Sequence, residues 1–366
     1  MIIKLINKVL KKNNLLSSLY MQNNSKYFTN FKLLTLLHFT FYILPSLAQD
    51  IHFSQYDAAL LNLNPANAGD IECDYRLIGN NRNQWQSITV PYKTFSMSFD
   101  TKINNFNFKR ANIGAGLLLN HDKAGDSELS TTQFALIGAF HYSIKQDSSL
   151  IASVGINGSF YQQSINYENL HFGSQYNGYQ YDSNSPNGEI FPENNLQYGD
   201  INLGTSLKKK FNDSLMIQGG FAYYHLNKPR QSYYLDNLTK LDALLMIYVS
   251  AEIGLNKTIG ILPSIYTMGQ GKYREYNFGG LVKFTTKSIN VKSIYFGGFY
   301  RLKDAGIFKF AFDYQNIRFG ISYDINTSSL KVASGGRGGL ELSLIYNFCK
   351  PRPIKFPDSK ICPVYF

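Results

Sequence analysis

The sequence predicts an all-β protein, a transmembrane antiparallel β-barrel of about 14 strands behind an N-terminal periplasmic or luminal segment. Three observations carry this. Apolar and polar residues alternate in segment after segment from Tyr75 to Phe348, every second connection is only a few residues long, and the mature region has no apolar run long enough for a membrane helix. In lipid an antiparallel sheet satisfies its backbone polar groups only by closing on itself, so these three features together predict a barrel.

The strands are read near 75–84, 92–103, 111–120, 131–144, 150–166, 200–211, 215–227, 243–255, 259–268, 273–286, 292–302, 306–316, 318–326 and 338–348. The last is the clearest. Leu340, Leu342, Leu344, Tyr346 and Phe348 share a face suited to lipid, Glu341, Ser343 and Asn347 share the other, and Ile345 breaks the pattern. In 306–316, Phe308, Phe310, Phe312 and Tyr314 oppose Ile307, Lys309, Ala311 and Asp313. Connections after even-numbered strands are mostly short, as periplasmic turns are. The stretches 167–199, 228–242 and 327–337 are read as outer loops, as is a long connection after the third strand. A soluble β-sandwich also gives many short strands, but its usual size is far below this array, and the loop asymmetry would then be accidental.

Composition agrees. The chain has 27 Tyr, 27 Phe and one Trp, and only 17% charged residues, which suits strands with aromatic girdles. The formal charge of +11 is spread over strands and turns without a recognition motif, so nucleic acid is not an expected partner. No G-x-S-x-G, H-E-x-x-H, Walker A or C-x-x-C spacing occurs, so no catalytic, cofactor or metal site is predicted. The six histidines are scattered. His121 with Asp122, read as loop residues, lacks a third and fourth ligand.

Residues 1–48 read as a secretory signal peptide with a long n-region, or with a start at Met21. An apolar run from Leu33 to Leu44 precedes Ser46-Leu47-Ala48, with cleavage after Ala48; a retained anchor is the competing reading. Residues 49–73 form the periplasmic or plug segment, 74–349 the barrel and 350–366 a basic periplasmic tail. Cys73, Cys349 and Cys362 lie outside the strands in a compartment that permits disulfides. A Cys73–Cys349 bridge across the barrel seam, a Cys349–Cys362 tail bridge and three free thiols all remain open.

Gln49 to Gly69 (QDIHFSQYDAALLNLNPANAG), the RNQW of Arg82, Asn83, Gln84 and Trp85, and the Tyr92, Thr94, Ser96, Ser98, Asp100 alternation resemble the PorP/SprF family of type IX secretion system membrane proteins. So do Asp122 with Gly125 (D-x-x-G), Leu262-Pro263-Ser264 and the terminal Cys362-Pro363. The sequence departs at YDAALLNLN, where the family more often has smaller or aromatic residues, and at the tail end Val364-Tyr365-Phe366. The resemblance implies an outer-membrane barrel of Bacteroidota-type bacteria. Its partners would be membrane lipid, periplasmic components of the secretion and gliding machinery, and an exported surface protein such as a large adhesin.

On residue chemistry alone, Asn64, Pro65 and Gly69 form a rigid bend, with direct partner contact as the other reading. Arg82 is expected to face the lumen as an ion-pair partner and Trp85 to anchor at the interface. Lys208, Lys209, Lys210, Lys109, Arg110, Lys287, Lys292, Lys350, Arg352, Lys355 and Lys360 are expected to ring the periplasmic rim for electrostatic docking. A channel or hydrophobe transporter, with Ile51–Ala68 as its plug, is the alternative function.

Overall fold

The computed structural model describes residues 50–84, 90–103, 110–189, 192–233, 239–329 and 331–351. The predicted signal peptide, Trp85, Lys109, Arg352, Lys355, Lys360 and Cys362 lie outside them. Among the described residues, period-2 alternation produces fourteen antiparallel strands. They are β1 (Tyr75–Gln84), β2 (Tyr92–Ile103), β3 (Ala111–Ala124), β4 (Leu129–Ser143), β5 (Leu150–Ser164), β6 (Asn195–Asn212) and β7 (Leu215–Tyr224). The second half continues with β8 (Leu244–Gly254), β9 (Ile259–Gln270), β10 (Tyr273–Thr285), β11 (Val291–Arg301), β12 (Ala305–Tyr314), β13 (Ile317–Asn326) and β14 (Arg337–Phe348). Each strand pairs with its sequence neighbours, and β1 pairs with β14 from Tyr75↔Phe348 to Gln84↔Gly339, which closes the barrel. No described helix is long and apolar enough to cross a membrane; the strands cross it.

The wall faces two environments. Leu340, Leu342, Leu344 and Phe348 point outward, as do Phe308, Phe310 and Tyr314, while Glu341, Ser343, Ile307, Lys309 and Ala311 are buried inside. Ile345, the break in the pattern, is buried against Ala58 and Ile78, so the lumen there is itself apolar. Pro263 stands within β9 and cannot donate to a ladder. The β8–β9 ladder accordingly has a gap between Ser250↔Ser264 and Ile253↔Ile261, with the same register on both sides of it.

The connection after β3 corrects the sequence reading. It is a four-residue turn, 125–128, because β3 runs to Ala124 and β4 starts at Leu129, and these two residues pair. Gly125 takes φ +68° there, and Glu128 takes φ +50°. His121 and Asp122 therefore sit in a strand and face opposite sides of the wall. They cannot share a metal, and among the described residues no group of three potential ligands forms.

The long connections 165–194, 225–243 and 327–336 all lie at one end, and both ends of the strand array lie at the other. In an outer-membrane barrel these are the extracellular and periplasmic ends. An epitope tag inserted at Asn184 is expected to react with antibody on intact cells, and one at Asp213 only after the membrane is opened. The opposite result would invert the barrel.

Cys73, just before β1, and Cys349, just after β14, are joined by a disulfide with Cα atoms 4.4 Å apart. Asp74 lies beside it, its backbone N–H donating to Phe348 O and its carboxylate accepting from Lys350 N. Non-reducing peptide mapping is expected to recover this linked pair. Reduction should lower unfolding stability by about 2–4 kcal/mol, read from denaturant midpoints.

Candidate functional site: a plugged lumen

Residues 50–74 thread the barrel from end to end. A 3-10 turn (Tyr56–Ala58), a single helical turn α1 (Leu60–Leu63) and a second 3-10 turn (Pro65–Asn67) occupy the lumen. Local chemistry shapes this path. Asn64 is extended and its Oδ1 accepts from Ala66 N, Pro65 supplies the first position of the turn, and Gly69 exits at φ +74°. The predicted bend is present, and it lies buried inside the barrel rather than in the periplasm.

Apolar plug residues make the lumen a core. Tyr56 and Leu63 pack with Tyr224, Met246, Tyr248, Tyr266, Met268, Phe299 and Ile307 of the wall, with the Tyr56 and Tyr266 rings stacked at 5.1 Å. Leu61 and Ala68 pack with Leu118, Ala135, Ile137 and Ala139. Burial of such side chains stabilises the plug by about 1.5–3 kcal/mol each. The leucines of YDAALLNLN, a departure from the family pattern, thus fill space between the plug and two sides of the wall.

Polar anchors fix the segment at three levels. Near the periplasmic end, Asp100 accepts from Gly69 N at 2.7 Å and from Arg76 Nε and Nη2 at 2.9 and 2.7 Å. His141 Nε2 donates to Ala68 O at 2.8 Å, and Lys208 Nζ donates to both oxygens of Asp70 at 2.7 Å. Burial alone would raise the Asp70 carboxyl, but the Lys208 ammonium outweighs it and holds the group below its ordinary range. At mid-height Asn64 Nδ2 donates to Thr205 O at 2.9 Å and Phe221 O at 3.2 Å, Tyr248 OH donates to Asn67 Oδ1 at 2.8 Å, and Lys309 Nζ binds Asp57 at 2.6 Å.

Toward the outer end lies a buried charge cluster. Ser54 N and Gln55 N donate to the Glu341 carboxylate at 2.8 and 2.9 Å, and Ser54 Oγ donates to Asp324 Oδ2 at 2.7 Å. Arg82 donates to His52 O at 2.6 Å and to Asp324 at 3.1 Å; Arg301 donates to Ser54 Oγ at 2.7 Å and pairs with Glu275 at 3.4 Å. The plug's first described residue, Asp50, sits at the mouth. Its N–H donates to Gln270 Oε1, and its carboxylate meets His225 Nε2, while His225 Nδ1 lies 3.0 Å from Asp200.

Burial would lower the His225 pKa, but Asp50 and Asp200 lift it to about 10. A folded pKa above the ordinary 6.5 means that this latch contributes fully below about pH 6.5 and is lost as pH rises through about 10. A spin label at Ile51→Cys, in a Cys362→Ser background, is expected to gain mobility over that range. A His225→Gln variant should lose the step.

Glycines let the plug touch the wall backbone to backbone. A Cβ on Gly114 would overlap Ala68 O, one on Gly155 would overlap the Pro65–Ala66 peptide, and one on Gly204 would overlap Asn64 Oδ1.

Among the sequence-derived site residues, Asn64, Pro65, Gly69 and Arg82 meet in or against the plug. Asn83 and Gln84 continue β1, paired with Leu340 and Gly339. The basic rim is less uniform than a ring of free charges. Lys208 turns inward to Asp70, Lys210 pairs with Asp213 at 2.7 Å, Lys209 lies over the Phe211 ring and Lys350 over the Tyr75 ring, and Lys292 belongs to β11. The sequence reading passed over Arg301 and Asp324, and gave His225, Asp100 and Glu341 no role in a site. Their inward register among outward apolar residues was the available signal.

No curated protein matches the sequence. Among solved structures, the chain is similar to the Ralstonia pickettii toluene transporter TbuX (9% identity, TM-score 0.47, covering 80% of this chain and 94% of that one). It is also similar to the CymD monoaromatic hydrocarbon channel (8%, 0.47, 83% and 95%) and to a Pseudomonas aeruginosa FadL homologue (10%, 0.43, 78% and 93%). The sequence pattern described as type IX secretion system membrane protein PorP/SprF matches residues 46–346, most of the length. With its closed outer-membrane barrel, the chain belongs to the PorP/SprF family of type IX secretion system membrane proteins.

Proposed function

We propose that the protein is a non-enzymatic outer-membrane component of the type IX secretion and gliding machinery that assists export or surface anchoring of a partner protein such as a large adhesin. The observation that supports this most directly is the packed lumen. A barrel whose axis is filled by Leu61, Leu63, Tyr56 and a buried ion-pair cluster offers its two ends to partners rather than a conduit to solutes. Residues 1–48 act as the signal peptide, and N-terminal sequencing of the mature protein checks cleavage after Ala48. The periplasmic rim (Lys209, Lys350, Arg352) docks a periplasmic machine component electrostatically.

The plug inside the lumen is also what a gated hydrophobe channel would contain, and one experiment separates the two readings. A deletion strain should lose a surface protein while uptake of toluene-like solutes is unchanged, and the purified barrel should not conduct. Loss of uptake with an intact surface proteome would favour the channel. Truncation of 350–366 should leave an inserted barrel that no longer co-purifies with the machine.

A further inference from the structure

The outer wall carries a polar cup where lipid headgroups begin. On β3 to β6 the outward positions change character within two rows. Leu119, Phe134 and Phe160 are exposed in one cross-strand row, and the next outward row reads His121, Thr132, Gln162 and Gln197. The row beyond reads Lys123↔Ser130↔Ser164↔Asn195, four register partners in line. Lipid-facing strands ordinarily present aromatic girdles at this height; here two successive rows are hydrogen-bonding groups. The β3–β4 turn and the two ends of the β5–β6 connection border them, tied by Asn166 N to Ser127 O at 2.8 Å and by Ile165 N to Asn194 O at 3.0 Å. Between them is an open cleft of about 330 Å³, lined by Lys123, Glu128, Ser130, Ser164, Asn166 and Asn195, among others. That volume is within the range of small-molecule sites.

Charge decides the ligand class. Lys123 pairs with Glu128 at 2.9 Å, so the cup carries no surplus positive charge for a phosphate-rich headgroup. What remains is amide and hydroxyl chemistry beside an ion pair, arranged for a hydroxyl-rich neutral ring. The apolar row of Leu119, Phe134 and Phe160 directly below suits attached acyl chains.

We propose that this cup binds the sugar headgroup of an outer-leaflet glycolipid, holding the lipid against β3–β6. The proposal concerns the wall and stands apart from the secretion reading. The test uses the purified full-length barrel in mild detergent, with a neutral diglycosyl diacylglycerol as probe, its free delipidated oligosaccharide head as the saccharide control and phosphatidylglycerol as the anionic-lipid control.

The wild type should retain the neutral glycolipid through native mass spectrometry. The Asn166→Leu/Asn195→Leu variant should retain about tenfold less, as the loss of one to two net hydrogen bonds implies. Ser130→Ala/Ser164→Ala serves as a milder second variant, and Asn256→Leu at the opposite end should change nothing. Heat-modifiable migration checks that each variant is folded. Equal retention of phosphatidylglycerol would overturn the sugar assignment, equally tight binding of free oligosaccharide would overturn the lipid assignment, and undiminished retention by both cup variants would overturn the site.

Discussion

Valine in place of Gly114 or Gly155 is expected to turn a sealed barrel into a conducting one. At Gly114 a Cβ falls on Ala68 O and C, and at Gly155 it falls on Pro65 and Ala66 backbone atoms, so no flexible side chain can yield. The wall cannot retreat either. Gly155 pairs with Ala139 on one side and Gly204 on the other, within ladders that close around the whole barrel. Overpacking of this kind costs about 1–3 kcal/mol where neighbours can shift, and more where they cannot. The segment that can move is the plug. Planar-bilayer recordings should show stepwise current for either variant and none for the wild type, with new protease cleavage between residues 50 and 74. Gly158→Val, where a Cβ meets nothing within 4 Å, is the control that should stay silent.

Arg82→Met is expected to be the most destabilising single change in the wall, by about 3–5 kcal/mol. Arg82 and Arg301 together face three nearly dry carboxylates, those of Asp324, Glu341 and Glu275, and Arg301 also pairs with the more exposed Asp304. Removing one guanidinium leaves three buried carboxyl groups with Arg301 as the one guanidinium among them. The urea midpoint of the folded, heat-modifiable form should fall accordingly. Adding Glu341→Gln should restore part of the loss, since it withdraws the orphaned charge; a double variant no better than the single would mean that Arg82 acts by packing alone.

The wall was legible in the sequence because a lipid-facing strand states its register in every second residue, as Leu340, Leu342 and Leu344 do. The end of β3 was not. His121 to Lys123 and Ser130 are polar on both faces of the wall, which reads as loop when it is in fact strand leaving the apolar band. The plug's route was hidden for a different reason. Its anchors join residues far apart in sequence, such as Ser54 to Glu341 and Asn64 to Phe221, and Asn-Pro turn chemistry looks the same in solvent as in a lumen. Inward-facing Asn120, Asn157 and Arg82 likewise look like a water-lined channel in one dimension. Only the structure shows the channel filled.

The seam disulfide gives this barrel a clasp as well as a shape. The register that brings Cys73 and Cys349 together is that of β1 against β14, the pairing that turns the sheet into a cylinder. With the bond in place the two ends of the strand array are tied covalently at the periplasmic rim. A seam held in this way stays shut at that rim even where the hydrogen bonds of the first pairs open.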